Sequence, residues 1–441
     1  MQNGILKYVS IFGVLILTSC FYFPISTIGM TRTNSKMLLA AVGLCIYLMQ
    51  LARKRDGNIS KDSAVLSLWA GLVSAITLIA VLYNNTRDYA YASYIVSMWV
   101  WIGAAYVVVN AIRWVHGQAS VRLVGNYLIG VGVLQCILAV MIDGIPAMKQ
   151  WVDTYFSTSS EFMDRINRLY GIGAMLDVGG TRFSVILIVI VIILMSLNEK
   201  ESRKLTPLYL IAFIWIGIVG NMIARTTTVG IIIGILYLVY KTQVYKLHIS
   251  KTEHIRLWIW WFILIIIALV TVSYLYQTDV TFRHDIRFAF EGFFSLAEEG
   301  EWNVASNNTL KNMYVFPENL KTWIIGDGYF SNPIHIDPYF TGKIIGGFYM
   351  GTDVGYLRFI FYFGLLGLIA FTILFCKATQ ICWNRFPNQK DLFTLLLLAN
   401  FIIWFKVSTD LFPAFAIFLM VDKEENDACE KRISNDTATS S

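Results

Sequence analysis

The chain has 441 residues, of which 56% are hydrophobic and 15% charged, with a net charge of +6. Soluble domains carry roughly 25% charged residues, and here apolar runs of membrane-crossing length recur from end to end, which excludes a soluble multidomain protein. The basic residues sit in short connections between those runs, a positive-inside pattern rather than a nucleic-acid-binding face.

The first apolar run, 5–23, contains Lys7 and passes through Leu17-Thr18-Ser19-Cys20, the form of a lipoprotein leader. Phe21, Tyr22 and Phe23 follow where an anchor would have a polar tether, so the run reads as a first span. Further spans are predicted at 37–52, 64–83, 94–112, 122–142, 183–197, 205–223, 227–240, 257–276, 352–376, 392–408 and 411–421, the last short and next to Pro413. The predicted fold is an all-α integral membrane protein with about 12 transmembrane helices. Arg53-Lys54-Arg55, Arg113 with Arg122, Lys200/Arg203/Lys204, Lys241 through Arg256, and Lys377/Arg385/Lys390 mark the inside face and put both termini in the cytoplasm. The organisation is then five spans over 1–142, an outside loop over 143–182, spans six to nine over 183–276, a large outside loop over 277–351, spans ten to twelve over 352–421, and a polar, disordered tail over 422–441. Met148, Trp151, Val152, Tyr155 and Phe156 keep helical spacing inside the first loop, as a headgroup-plane helix or a packed loop helix would. The cysteines lie outside the two long loops and have no metal-type spacing, so neither disulfides nor a metal site is expected.

Three clusters combine charge with apolar flanks. Arg168-Leu-Tyr-Gly171-Ile-Gly173 is followed by Asp177, Gly179-Gly180 and Arg182; glycines admit close backbone approach and guanidinium forks suit phosphate oxygens, although lipid headgroups would attract the same arginines. Ala224-Arg225-Thr226-Thr227-Thr228 is wedged between two apolar runs. An arginine at membrane depth costs about 2.5–3.5 kcal/mol at a span centre, less near the interface, so Arg225 needs a partner or snorkels. The three hydroxyls would open a helix as an anion-binding start. The third cluster is the long loop and its exit: Arg283, His284, Asp285, Arg287, Glu291, Gly326-Asp327-Gly328-Tyr329, His335, Asp337, then Asp353 and Arg358 bordering an apolar run. Most of these charges are compatible with a solvated loop surface. Asp353 and Arg358, five apart, would not stack on one helix, and each calls for a partner elsewhere. There is no Asp-x-Asp pair, no acidic residue over 24–36 and no Walker-type glycine loop, which argues against a nucleotide-sugar metal site and against direct use of ATP.

Four stretches, in their order along the spans, resemble the O-antigen polymerase and O-antigen ligase family: Arg168-x-x-Gly171, Ala224-Arg225-Thr226, Gly326-Asp327-Gly328-Tyr329, and Thr352-Asp353-x-Gly355-Tyr356 running into Phe363-Gly364-Leu365-Leu366-Gly367. The resemblance implies a GT-C-like membrane fold in a bacterial inner membrane with two long periplasmic loops. It implies glycosyl transfer, without metal or other cofactor, from one undecaprenyl-pyrophosphate-linked oligosaccharide to a sugar hydroxyl of another during O-antigen or capsule synthesis, with a chain-length regulator as a further partner. On this resemblance Arg168, Arg225, Arg287 and Arg358 bind pyrophosphate, and Asp353, then Asp327 and His335, supply the base. Ligases of the family carry His-Asn near the end of the long loop; Asp353 stands there, and His335 is followed by Ile336, which favours the polymerase. The ligase, and a flippase for lipid-linked oligosaccharides, are the alternatives; a flippase built of two similar halves with compact loops fits the long loop less well.

Overall fold

A computed structural model describes residues 4–27, 33–53, 61–156, 168–246, 252–333 and 347–438. His335 and Asp337 lie outside the described residues. The described residues are mainly helical, with isolated bridges at Thr27–Phe156 and Ser331–Phe348 and no strand among them. In chain order the helices are α1 (Gly4–Tyr22), α2 (Ser35–Arg53), α3 (Lys61–Tyr83), α4 (Tyr94–His116), α5 (Val121–Gly144), α6 (Pro146–Tyr155), α7 (Leu176–Ser196), α8 (Glu199–Ile223), α9 (Thr227–Thr242), α10 (Thr252–Thr278), α11 (Val280–Ala289), α12 (Glu291–Glu299), α13 (Ala305–Asn312), α14 (Leu320–Ile324), α15 (Gly355–Arg385), α16 (Lys390–Ile403), α17 (Phe412–Leu419) and α18 (Lys423–Ala438).

Eight of these are long and apolar enough to cross a membrane: α1, α3, α4, α5, α7, α8, α10 and α15. Of the other four expected spans, 37–52 and 227–240 coincide with the shorter apolar stretches Ser35–Gln50 and Thr227–Thr242, and 392–408 and 411–421 with α16 and α17. At 8 residues, α17 is about 12 Å long against a hydrocarbon core of about 30 Å.

The chain divides into two compact units, Met1–Gly43 with Ala104–Phe294 and Ala416–Ser441, and Leu44–Gly103 with Ser295–Phe415. In the first, α7 is the core: its apolar stretch is 78% buried, packed by α5, α8 and α9. α10 is as apolar but only 6% buried, and meets the unit through α8 and α11. Such an exposed apolar cylinder needs lipid as its solvent. The tightest approach is between α7 and α9. A side chain at Gly230 would lie 2.4 Å from the Ser184 backbone, and Ser184 Oγ ties the crossing by accepting from the Gly230 N–H and donating to the Thr226 carbonyl.

Two boundaries differ from the sequence expectation. α7 begins at Leu176, not 183, so Asp177 through Arg182 are helical. Asp177 is favoured in a first turn by the helix dipole, and the buried Arg182 guanidinium lies 5.6 Å from the Phe23 ring centroid. The C-terminal segment, expected to be disordered, forms α18. Glu425 pairs with Arg113 at 2.7 Å and accepts from the Ala119 N–H, while Asn426 accepts from the Val121 N–H at the start of α5. These acceptors satisfy donors that a helix N-terminus leaves open.

In the second unit α15 packs on α3, α14 and α16 and is broken at Gly364 (φ 67°, ψ −173°). The break frees carbonyls inside an apolar helix, and the glycine-rich turn after α14 supplies their donors: Asp327 N–H to Phe361 O (2.6 Å) and Gly328 N–H to Tyr362 O (3.0 Å). Asn84 and Thr86 grip the same turn through the Gly326 and Gly328 carbonyls. A Cβ at Gly364 would stand 2.1 Å from Ile324 O. Gly364→Ala is therefore expected to destabilise the protein by at least about 1–3 kcal/mol, measured by reversible unfolding in mixed micelles; an unchanged midpoint would contradict the clasp.

Candidate functional site

The charged residues singled out in the sequence separate by unit. Arg168, Arg225 and Arg287 belong to the first, and Arg358, Asp353 and Asp327 to the second.

Arg225 occupies the turn between α8 and α9, where Thr227 N–H bonds Ala224 O and Thr228 N–H bonds Arg225 O. The three hydroxyls expected to receive an anion are turned inward instead. Thr226 donates to Asp177, Thr227 to Gly220 O (2.9 Å) and Thr228 to Asn221 Oδ1 (2.6 Å). They hold the turn closed by giving its polar groups partners within the protein. The Arg225 guanidinium lies 4.1 Å from the Phe288 ring centroid, donates from Nε to Phe288 O (2.9 Å) and pairs through Nη2 with Glu291 at 2.5 Å. This is the partner that the sequence demanded for Arg225, supplied by α12.

Arg168 lies over the same ring at 4.9 Å. Its Nε is buried and has no hydrogen-bond partner among the described residues. Burial pulls both guanidinium groups below the ordinary arginine range; Glu291 opposes this at Arg225 and Asp177 at Arg168, while the charge of Arg168 adds to the depression at Arg225. Both remain cations at neutral pH. The segment carrying Arg168 is seated by Tyr170, which packs with Ile142 and Val152 and donates to Asp153 Oδ1 at 2.9 Å, and by Gln135, which donates to Ile172 O.

Beside Arg168 opens a cavity of ≈520 Å³, walled by the end of α5 (Ala139, Ile142, Asp143), Lys149 of α6, residues 168–170, and one face of α11. That face is Val280, Thr281, His284 and Asp285, the i, i+1, i+4, i+5 set of a helix. The opposite positions, Arg283 and Arg287, turn to α10. Arg283 donates to the Tyr276 and Gln277 carbonyls at the end of that helix, and Arg287 donates to the Tyr276 hydroxyl (3.0 Å) and lies over Phe294. Arg287 thus faces away from the α11 surface that lines the cavity.

Asp285 is 8% exposed, with His284 Nδ1 at 3.6 Å. Burial, then the charge of Asp143, pushes its carboxyl up to about 6; His284 opposes, and Asp279 adds a further upward push. Asp285 appeared in the sequence only as one charge among many, because its burial and the approach of Asp143 are tertiary. Glu291 appeared in the same way, and Phe288, Asp143 and Lys149 were not candidates for the same reason.

In the second unit, Arg358 is buried between the Phe330 and Phe348 rings (3.7 and 4.7 Å), bonded to Ser408 Oγ (2.8 Å) and Phe330 O, and 3.3 Å from Asp353. Asp353 and Arg358 pair with each other, because Asp353 precedes the first turn of α15 and is not bound by helical spacing. The Asp327 carboxylate receives Lys321 Nζ (2.6 Å), Thr322 Oγ1 (2.6 Å) and the Tyr349 hydroxyl (3.3 Å).

The upward shift at Asp285 has a stability consequence. A carboxyl whose folded pKa lies above its ordinary 3.8 contributes stability that is complete below the ordinary value and is lost as pH rises through about 6. Relative to Asp285→Asn, the protein should lose thermal stability between pH 4 and 7, read from unfolding curves of both proteins in detergent. A difference that does not vary with pH would refute the burial argument.

Comparison with protein-family profiles, with curated proteins and with solved structures found no match to this chain.

Proposed function

We propose that this chain is a metal-independent membrane glycosyltransferase that polymerises lipid-linked oligosaccharide repeats, moving a glycan from one undecaprenyl pyrophosphate to a sugar hydroxyl on another. On this reading it sits in a bacterial inner membrane with about 12 helical crossings, both termini cytoplasmic, and a GT-C-like arrangement with the polar cavity on the periplasmic side. The observation that carries the reading is the pair of guanidinium groups on one phenylalanine ring, one of which, Arg168, lines a cavity and has a buried Nε without a hydrogen-bond partner among the described residues.

The chemistry asks for such a pair. As the anomeric bond breaks, negative charge accumulates on the departing diphosphate, and fixed, always-protonated donors stabilise that charge without a metal. Two cations crowded on one ring repel each other, and a diphosphate between them removes that repulsion. Glu291 competes with the diphosphate for Arg225, so Arg168 makes the stronger claim on it. The motif order along the chain supports the same family of reactions.

Arg168→Ala and Arg225→Ala should each abolish polymer while the protein still accumulates in the membrane, with Arg168→Lys retaining part of the activity, because lysine keeps the charge but loses the fork. The assay is the polymer ladder from cells deleted for the native gene and complemented with each variant. A ladder of normal length from Arg225→Ala would remove its diphosphate role, and normal ladders from both alanine variants would overturn the reading.

A further inference from the structure

Glycosyl transfer to a hydroxyl needs a place for the acceptor and a group to take its proton. Three carboxylates near the sequence motifs are already committed to cations: Asp353 to Arg358, Asp327 to Lys321, and Glu291 to Arg225. Asp285 differs. It is a buried carboxylate on the wall of a cavity, on the face of α11 that turns away from α10, with the imidazole of His284 3.6 Å away. Arg168 lines the same cavity, so the cation that would hold the departing diphosphate and the carboxylate border one space.

We propose that this cavity receives the acceptor sugar and that the Asp285 carboxylate takes the proton of its attacking hydroxyl. The inference rests on the polymerase reading. The hydroxyl oxygen bonds to the anomeric carbon of the donor while the bond from that carbon to the diphosphate oxygen breaks. The bonding pair leaves with the lipid diphosphate, and the hydroxyl proton passes to Asp285 and then to water. No oxidant, reductant or further reactant is required. Thr281 and Tyr170 are among the residues of the wall, and ≈520 Å³ accommodates a sugar ring with part of its neighbour.

The electrostatic surroundings suit a base that works at neutral pH. The groups facing Asp285 are Asp143 from α5, Lys149 from α6, Arg168 and Tyr170 from the segment before α7, and His284 with Asp279 from α11 and its cap. Burial and Asp143 raise the carboxyl to about 6, which leaves it roughly ten to one ionised at pH 7, with a proton affinity near the operating pH where base catalysis is most effective.

The test uses the full chain purified in detergent, lipid-linked repeats extracted from the producing cell, and free undecaprenyl pyrophosphate as a binding probe. Wild-type transfer should rise with pH through an inflection near 6. Asp285→Asn should lower kcat at pH 7.5 by about 10²–10⁴-fold and lose the inflection, while still melting cooperatively and binding the probe. Asp143→Asn, at an exposed position, should move the inflection to lower pH, a response that a merely structural Asp285 would not give. Transfer by Asp285→Asn within threefold of wild type, or an inflection indifferent to both changes, overturns the base while leaving the polymerase reading in place. A wild-type protein that neither binds undecaprenyl pyrophosphate nor extends chains overturns both.

Discussion

A backbone amide or carbonyl inside an apolar interior must find its partner within the protein, because no water is there to supply one. That constraint shapes both units. In the second, α15 is interrupted at Gly364 and remains satisfied because the turn at Gly326–Gly328 lends it two N–H donors. In the first, the chain reverses between α8 and α9 in three residues, and the hydroxyls of Thr226, Thr227 and Thr228 are each consumed in holding that reversal closed. Irregular backbone is present at these points because polar groups that it frees are answered within the protein.

The same rule extends to charge. Arg225, Arg358 and Arg182 each lie over at least one aromatic ring, and Arg225 and Arg358 also donate to main-chain oxygens and meet a carboxylate. An aromatic face attracts a cation without demanding the desolvation of a second ion, so the cost of an ion pair in a low-dielectric setting is shared out. Arg168 and Arg358 each keep a buried Nε without a hydrogen-bond partner among the described residues, and of the two it is Arg168 that lines the cavity where α11 presents Asp285. Opposite charges left incompletely answered around one open space are the condition under which a polar ligand gains most from binding there.

The division of labour on α11 follows from helical period alone. Arg283 and Arg287 turn back to the carbonyls and the Tyr276 ring at the end of α10, completing that helix, and His284 and Asp285, one residue along, are carried to the cavity. A charged run that reads as uniform in one dimension is therefore divided between two surroundings on two faces.

Apolar run lengths were enough to locate the eight long helices, since burial in lipid or protein makes the same demand on each span and is written locally. The need of Arg225 for a partner was legible too, because an arginine between two apolar runs is costly wherever they fold. Its partner was not: Glu291 lies in another helix, and only the packing of α11 and α12 brings it there. Likewise the glycines at 326 and 364 were legible as a motif, but their purpose is a backbone clasp between segments distant in sequence. The start of α7 and the order in α18 escaped a hydropathy reading because both depend on charges answered by other elements. Composition and period, which are local, pointed to membrane character and located the eight long apolar helices. Tertiary packing decided which charges pair and which carboxylate is left basic at a cavity, because desolvation and the fields of neighbouring charges depend on distances that sequence order does not contain.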